Sequence, residues 1–379
     1  MATSKKTIRP FQVHFSPQEL PPSTWARLGE VAMAVEQLRT AVLPVQEGRL
    51  MNYIALLQGV VANASLDGNT LTADQVDRLL EGSLQLPHSQ VFQEREVRNL
   101  LAAVTWLETR LKTAGTDAGS WTLQMLHAQV MQGLPSPSGQ APGTFRLGPP
   151  ELPVPADQLG PAIDHLVIWA QDGVFHGSDP EERLAFGILG ALVAHLHLAW
   201  LCPFPDGSGR TVRLLELSLL LQAGLPPVAA HRMVAQAADA PDEYARLTRW
   251  TGRSEDGVPA FINFMVRGFA ERLKALAIEV AKAQEEQLVP EILQGLVGPQ
   301  GTTGGERLNL LMRELHSHRD EVATAELPLL SPELARRYAR LHAKTLQRDL
   351  SQLEKLGLVE RSRGAVRAKP LVLRPFAAG

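Results

Sequence analysis

Eighteen consecutive residues without a charged side chain, Leu184 to Leu201, constrain the fold of this chain more than any other feature. The segment is apolar on every side of a helix and long enough to cross a membrane. It also contains His195, His197 and two glycines, and no second clear span accompanies it. These features favour a central helix buried inside a large helical domain, and we expect no membrane contact. The two histidines are two residues apart, so they point to different sides of the helix and are expected to line the core or a site rather than to share a metal.

A short polar turn, residues 202–213 with the sequence CPFPDGSGRTVR, follows this segment. Pro203 cannot continue a helix, so the apolar helix is expected to end at Leu201 or Cys202. A second apolar helix then begins with two arginines, Arg210 and Arg213, in its first turn. Positive charge is unfavourable at a helix N-terminus unless an anion is bound there.

The residue types of the turn suit a phosphate. The backbone amides of Gly207, Ser208 and Gly209 and the guanidinium of Arg210 could bind an anion. Asp206 could hold a divalent cation that bridges phosphates. The alternative from the pattern alone is a surface turn with solvated arginines.

The turn resembles the signature of the Fic (fido) family, HPFxDGNGRxxR, with Cys202 in place of His and Ser208 in place of Asn. His195 stands seven residues before the motif, as is typical of the family, and the segments around Tyr244 and residues 257–269 are also similar. Residues 63–68, NASLDG, resemble the family's inhibitory helix, S/TxxxE(G/N), and differ from it at Asn63 and Asp67. The resemblance covers roughly residues 25–290.

This resemblance implies a mainly α fold, with a helical Fic core and a helical N-terminal region. It implies transfer of AMP from ATP, with Mg²⁺, to a hydroxyl of a target protein. Cys202 stands at the position of the general base and Asp206 at that of the metal ligand, while Arg213 pairs with the inhibitory Asp67. The nucleotide-binding residues implied are Phe204, Gly207, Ser208, Gly209, Arg210, Arg213 and Tyr244.

The departures from the signature indicate a degenerate catalytic site. A thiol has a reference pKa of about 8.5 against about 6.5 for imidazole, so Cys202 is a poor base at neutral pH. Loss of a general base typically costs about 10² to 10⁴ in rate. The family's target-binding hairpin after "PGxYR" is replaced by a proline-rich loop. We therefore expect a nucleotide-binding protein with weak or no AMP transfer, in which Cys202 is a small buried apolar residue. The alternative is an active adenylyltransferase in which Cys202 replaces the histidine.

The C-terminal segment is basic while the rest of the chain is acidic. Residues 331–376 contain eleven Lys/Arg and four Asp/Glu, a charge of +7, which leaves −10 for the rest of a chain with net charge −3. A basic domain on an acidic body indicates a polyanionic partner for the tail.

The tail resembles a winged helix-turn-helix domain. Leucines at 346, 350, 353 and 356 form a helical stripe that Gly357 ends, and two β-like segments then turn at Arg363-Gly364. The recognition helix is predicted over Lys344–Lys355, and the wing arginines are expected to contact phosphates. The residues predicted to bind duplex DNA are Lys344, Gln347, Arg348, Arg361, Arg363 and Arg367. The alternative is a winged helix that binds a protein.

These patterns predict an organisation of four segments: an N-terminal helical region (1–112), a Fic core (113–290), a linker (291–305) and a winged helix (306–379). The expected protein is a nucleotide-responsive transcriptional regulator, whose partners are DNA, a second copy of the chain and, if it is active, a protein target. Its single cysteine excludes a disulfide framework. The N-terminus has no apolar signal core, which predicts a cytoplasmic location.

Overall fold

The structure is a computed structural model that describes residues 15–113, 119–148, 154–172, 177, 179–249, 257–297, 303–318 and 320–369. The chain divides into two compact units. The first contains residues 1–40 and 44–277, and the second contains residues 41–43 and 278–379. The boundaries predicted after residues 112 and 290 stay predictions.

The described part of the first unit is built from helices. Its helices are α1 (Pro22–Thr40), α2 (Val45–Ser65), α3 (Ala73–Leu80), α4 (Val91–Thr113), α5 (Ser120–Val130), α6 (Leu159–Asp172), α7 (Pro180–Leu201), α8 (Ser208–Gln222), α9 (Pro227–Ala230), α10 (Met233–Asp239), α11 (Pro241–Thr248) and α12 (Gly257–Val297), whose last part belongs to the second unit. The predicted mainly α fold is confirmed.

The charge-free segment forms the central helix of this unit, as predicted. Asp179 caps α7 by accepting a hydrogen bond from the Glu182 amide at 2.8 Å, and Pro180 occupies the first turn. α7 packs most extensively against α8, and Gly187 permits the close approach because a Cβ there would lie 2.4 Å from the Ala223 Cβ. α7 is the one helix among the described residues that is long and apolar enough to cross a membrane, and 78% of its apolar window is buried inside the protein. A buried core helix has the same composition.

Proline and glycine set the helix boundaries. A capping box formed by Thr72 and Gln75 begins α3. The break between α1 and α2 falls at residues 41–44, because Pro44 cannot continue a helix. The predicted linker 291–305 is helical up to Val297 and again from Thr303, because the first Gly-Pro pair comes only at 298–299.

The described part of the second unit contains three further α-helices, a short 3-10 helix (Leu327–Leu329) and a small sheet. The α-helices and strands are α13 (Thr303–His318), α14 (Pro332–Tyr338), α15 (Ala343–Lys355), β1 (Val322–Ala323), β2 (Val359–Ser362) and β3 (Ala365–Ala368). The strand order is β1-β3-β2, both pairs are antiparallel, and Val359 pairs with Ala368. The helix predicted over Lys344–Lys355 is present as α15, and the predicted turn at Arg363-Gly364 joins β2 to β3. The strand predicted beyond Lys369 lies outside the described residues.

A leucine-rich core holds the second unit together. Leu350 and Leu353 of the predicted stripe are fully buried and Leu346 is partly buried. Leu356 is 39% exposed, because it is the C-cap residue of α15 and points away from the core. These helices and the small antiparallel sheet are compatible with the predicted winged helix.

Candidate functional site

The motif turn joins α7 to α8 through two residues with positive φ. Cys202 ends α7 at φ 44°, and Gly207 precedes α8 at φ 66°. A side chain at position 207 would also meet the Met131 sulfur at 2.5 Å, so both the conformation and the space require glycine. The first amides of α8 have no acceptor within the helix, which is the arrangement that binds anions.

Arg213 is held by the segment that resembles an inhibitory helix. Its Nε donates to the Asn63 side-chain oxygen at 2.8 Å, and its Nη2 donates to the Asn63 carbonyl at 3.0 Å and to the Asp67 carboxylate. Arg213 is 6% exposed. The pairing of Arg213 with Asp67 that the resemblance implies is therefore present, although aspartate is one methylene shorter than glutamate.

Arg210 is held by a second acid that the sequence did not single out. Its Nη1 donates to Glu96 Oε1 of α4 at 2.9 Å, and Asn69 donates to the other carboxylate oxygen at 2.9 Å. The Arg210 and Glu96 side chains are 9% and 13% exposed. Both motif arginines thus contact carboxylates that come from outside the motif.

Serines of a preceding loop hold the Asp206 carboxylate. Its Oδ2 accepts from the Ser138 hydroxyl at 2.6 Å, the Ser136 hydroxyl at 3.0 Å and the Ser138 amide at 3.2 Å. The bonds from Ser138, and then that from Ser136, hold the pKa of the Asp206 carboxyl below its ordinary value. Asp206 is therefore a carboxylate at neutral pH.

His127 of α5 fixes the backbone of the turn. The Gly143 amide donates to its Nδ1 at 2.8 Å, so its Nε2 must carry the proton that is donated to the Asp206 carbonyl at 2.8 Å. The ring stacks on Phe204 with centroids 3.8 Å apart. Burial lowers the pKa of His127, which favours this neutral form.

Phe204 and Tyr244, both predicted to bind nucleotide, have buried side chains. Phe204 is 0% exposed beneath the His127 ring. The Tyr244 hydroxyl lies 2.8 Å from His195 Nε2. The structure therefore places these rings in the core behind the turn, while Gly207, Ser208 and Gly209 form its partly exposed rim.

Cys202 is half-buried, and the expectation of a buried apolar residue is wrong. It caps the C-terminus of α7 at the mouth of the turn, so its side chain cannot join the core side of that helix. Its thiol lies 3.6 Å from the Phe204 carbonyl. Arg146 donates to the Cys202 and Leu201 carbonyls at 2.9 and 3.2 Å, which anchors the segment after "PGTF" to the motif.

The site fits a cation that is bound together with phosphate. Among the described residues no group of three or more His, Cys, Asp or Glu could hold a metal by itself. Mg²⁺ commonly uses one or two carboxylates and completes its shell with phosphates and water. The hydrogen bonds to the Asp206 carboxylate within the described part of the chain all go to Oδ2, so Oδ1 accepts none from those residues.

The predicted DNA-binding residues lie on α15 and on the β2–β3 hairpin. Lys344, Gln347, Arg348, Arg363 and Arg367 are exposed. Arg361 is half-buried, because it donates to Gln347 at 2.6 Å and to Ser351 at 3.3 Å and so connects the hairpin to the helix. The structure brings the two predicted elements together within one unit.

Comparison with known proteins bears on this site. No protein-family model matches the chain. The protein adenylyltransferase fic-1 of Caenorhabditis elegans is 29% identical over 171 residues, 45% of this chain and 32% of that protein. The protein adenylyltransferase Fic of Nematostella vectensis is 24% identical over 214 residues, 56% of this chain and 47% of that protein. The chain therefore spans between a third and a half of these curated relatives.

Two solved structures share the fold. A Fic family protein from Desulfovibrio desulfuricans G20 superposes with a TM-score of 0.54 at 20% identity, over 95% of this chain and 98% of that chain. Fic-1 from C. elegans superposes with a TM-score of 0.52 at 22% identity, over 69% of this chain and 74% of that chain. The fold and the motif turn define a helical domain in which the turn leads into the N-terminus of α8. The resemblance to the Fic family is thereby confirmed by the sequence matches and by the fold.

Sequence reasoning missed the side chains that support the motif from a distance. Glu96, Ser136, Ser138 and His127 lie 68 to 114 residues from their partners in the motif, so no local spacing connects them. Asn69, which follows the inhibitory-like segment, contacts Glu96.

Proposed function

We propose that this chain is a nucleotide-responsive Fic protein, whose motif turn binds the phosphates of ATP and whose acids Asp67, after α2, and Glu96, on α4, compete with them. The contact of Asp67 and Asn63 with Arg213 carries this proposal, because it joins the inhibitory-like segment to the motif arginine. The names of the curated relatives support the use of a nucleotide.

Phosphate is a strong competitor for these arginines. A guanidinium binds phosphate through two parallel hydrogen bonds, and the first amides of α8 add further donors. Asp206 and phosphate oxygens would hold Mg²⁺, which neutralises phosphate charge when bound. Binding requires Arg213 to leave the Asp67 carboxylate. The affinity for the nucleotide therefore depends on how strongly Asn63 and Asp67 bind Arg213.

The chemistry after binding depends on Cys202. A protonated thiol cannot accept the proton of an attacking hydroxyl, and the described residues 139–148 contain no strand of a target-binding hairpin. We therefore favour weak or no AMP transfer. The second candidate is an active adenylyltransferase that uses Cys202, and the adenylyltransferase names of the relatives support it.

Thermal unfolding of the full chain with Mg-ATP tests binding. A ligand that binds only the native state stabilises it by RT ln(1 + [L]/Kd), about 2.7 kcal/mol at 100 times Kd. Arg210→Ala should abolish the rise in melting temperature, while Arg98→Ala, which removes an exposed pair on α4, should retain it. The absence of a shift with any nucleotide at millimolar concentration contradicts the proposal.

We also propose that the second unit binds DNA. The exposed face of α15 and the wing arginines supply the positive surface, and the charge of +7 over residues 331–376 supports it. Phosphate contacts by the wing would set the register, while residues at the start of α15 would contact base edges. In this scheme nucleotide binding in the first unit regulates a transcription factor.

A further inference from the structure

One arginine of the β2–β3 hairpin is hydrogen-bonded along a face of α15. Arg361 of β2 donates from Nη2 to Gln347 Oε1 at 2.6 Å and from Nη1 to the Ser351 hydroxyl at 3.3 Å. Its Nη1 also lies 3.7 Å from Glu354 Oε2. Positions 347, 351 and 354 are four and three residues apart, so they share one face of the helix. The Arg361 side chain is 28% exposed, and both of its terminal nitrogens are already bound by α15.

This contact fixes the orientation of the Gln347 amide. Arginine has only donors, so the amide atom that faces it is the oxygen. The two N–H donors are on the other arm of the amide, and they form no hydrogen bond within the described part of the chain. Gln347 is exposed, as are Lys344 and Arg348, on the surface predicted to face DNA. That surface therefore presents two N–H donors whose direction is set by the hairpin.

Guanine is the base that suits two donors. In the major groove it presents two acceptors, N7 and O6, whereas adenine presents the acceptor N7 and the donor N6–H₂. A glutamine that binds adenine through two hydrogen bonds therefore needs its oxygen as an acceptor. The oxygen of Gln347 already accepts a charge-assisted bond from Arg361, which makes it a weaker acceptor for adenine. The arrangement favours guanine.

Ordering of the amide before DNA binds also strengthens the contact. Glutamine is among the side chains that lose most rotamer freedom when they are ordered. Because Arg361 orders Gln347 in the free protein, less of that entropic cost falls on DNA binding. An arginine that contacts phosphate acts differently, since a phosphate contact carries no sequence information.

We propose that Arg361 is a positioning residue for base recognition, which directs the two N–H donors of Gln347 at the edge of a guanine. This inference rests on the proposed DNA-binding function of the second unit. It gives Arg361 a different role from Arg363 and Arg367, which are exposed on the same hairpin and are expected to contact phosphate.

Binding of the full chain to duplex DNA tests this role. Selection from a random pool with the wild type gives a preferred site, and anisotropy titrations with each base pair exchanged in turn measure discrimination. At the position where Gln347→Ala relaxes discrimination, the wild type should prefer guanine by about ten-fold. Arg361→Met removes the donors to Gln347, and it should lose most of that preference while the salt slope stays unchanged.

Three comparisons separate positioning from other effects. Arg363→Met should reduce the salt slope by about one and keep the guanine preference. Arg361→Lys retains a donor for the Gln347 oxygen and should keep the preference within about three-fold. In a Gln347→Ala background, Arg361→Met should change discrimination no further, because no amide is left to orient.

Gln347→Glu decides the matter if Arg361→Met fails to fold. A glutamate has nearly the same volume and can still accept from Arg361, but it has no N–H donors. It should therefore lose the guanine preference without a fall in melting temperature.

A preference for adenine at this position would overturn the positioning role and leave DNA binding intact. The same conclusion follows if the guanine preference is unchanged in Arg361→Met or in Gln347→Glu, or if Gln347→Ala relaxes no position of the site. If the wild type shows no salt-dependent binding to any duplex in the pool, the proposed DNA-binding function fails, and the positioning role fails with it.

Discussion

Arg210 and Glu96 form a nearly buried ion pair between α8 and α4, with Nη1 and Oε1 2.9 Å apart. The motif arginine expected to bind phosphate is thus neutralised by a carboxylate 114 positions earlier in the chain. Asp67 does the same for Arg213. The N-terminal helices therefore supply one acid for each arginine of the motif.

Glu96→Gln should tighten binding of Mg-ATP by about ten-fold, because Arg210 then loses its charged competitor while the side-chain volume is kept. The same variant should unfold at a lower temperature without nucleotide, since a buried arginine is left without a carboxylate. Calorimetric titration and thermal unfolding give the two readouts. Glu94→Gln, which removes the partly exposed partner of Arg98 on the same helix, is the control. Unchanged affinity in Glu96→Gln would mean that the pair is only structural.

His127 should make stability depend on pH. Its pKa in the native state is lowered from 6.5, so the unfolded chain binds the proton more readily. The associated stability is complete above pH 6.5 and is lost as the pH falls toward the lower native pKa. His127→Phe keeps an aromatic ring against Phe204 and should flatten this part of the curve, while His88→Gln controls for loss of a surface imidazole. Denaturant unfolding between about pH 5.5 and 7.5 measures the slope, and a slope that is identical in wild type and His127→Phe contradicts the assignment.

Cys202→His should gain AMP transfer relative to the wild type, by up to about 10²-fold if the base is the main defect. The assay follows label from ATP into the protein itself and into added protein substrates. Cys202→Ala controls for loss of the thiol. Robust transfer by the wild type that Cys202→Ala abolishes would make the thiol a catalytic group and favour the adenylyltransferase alternative.

Arg363→Ala and Arg367→Ala should each weaken the binding of the full chain to any duplex DNA and reduce the salt slope by about one. Both side chains are exposed on the wing, where phosphate contacts are expected. Anisotropy across a salt series measures the slope. Arg340→Ala, an exposed arginine outside the wing and α15, is the matched control. Absence of salt-dependent binding to a random pool would leave the second unit as a protein-binding module.

Arg348→Ala should instead reduce discrimination between sequences, by about 1–3 kcal/mol if the arginine contacts guanine through two hydrogen bonds. Selection from a random pool with the wild type, followed by titration of the variant on the selected and scrambled sites, measures this difference. Equal losses on both sites would place Arg348 on the backbone.

The parts of the fold that local physics dictates could be predicted from the sequence. The charge-free run had to be a buried helix, Pro203 had to end it, and Gly364 had to turn the hairpin. Pro44 has the same effect, since α1 ends before it and α2 begins directly after it. Within the site, the motif and the Asp67–Arg213 pair followed from the resemblance.

The rest depended on contacts that only the folded chain creates. The exposure of Cys202 depends on its position as the C-cap residue of α7, and Phe204 is buried because His127 stacks on it. Glu96 gives no signal, because a glutamate in the middle of an amphipathic helix is expected on a solvated face. The pairing of Glu96 with Arg210 arises only in the folded chain, where α4 packs against α8.

Titration of the full chain with Mg-ATP, for wild type and Asp67→Asn in parallel, tests the central claim most directly. The claim is that the motif binds nucleotide phosphate and that the segment of Asn63 and Asp67 competes with it. It predicts about ten-fold tighter binding for Asp67→Asn, no binding once Arg213→Ala is added, and no change for the surface variant Asp74→Asn. Equal affinity of wild type and Asp67→Asn, or binding that survives Arg213→Ala, would contradict it.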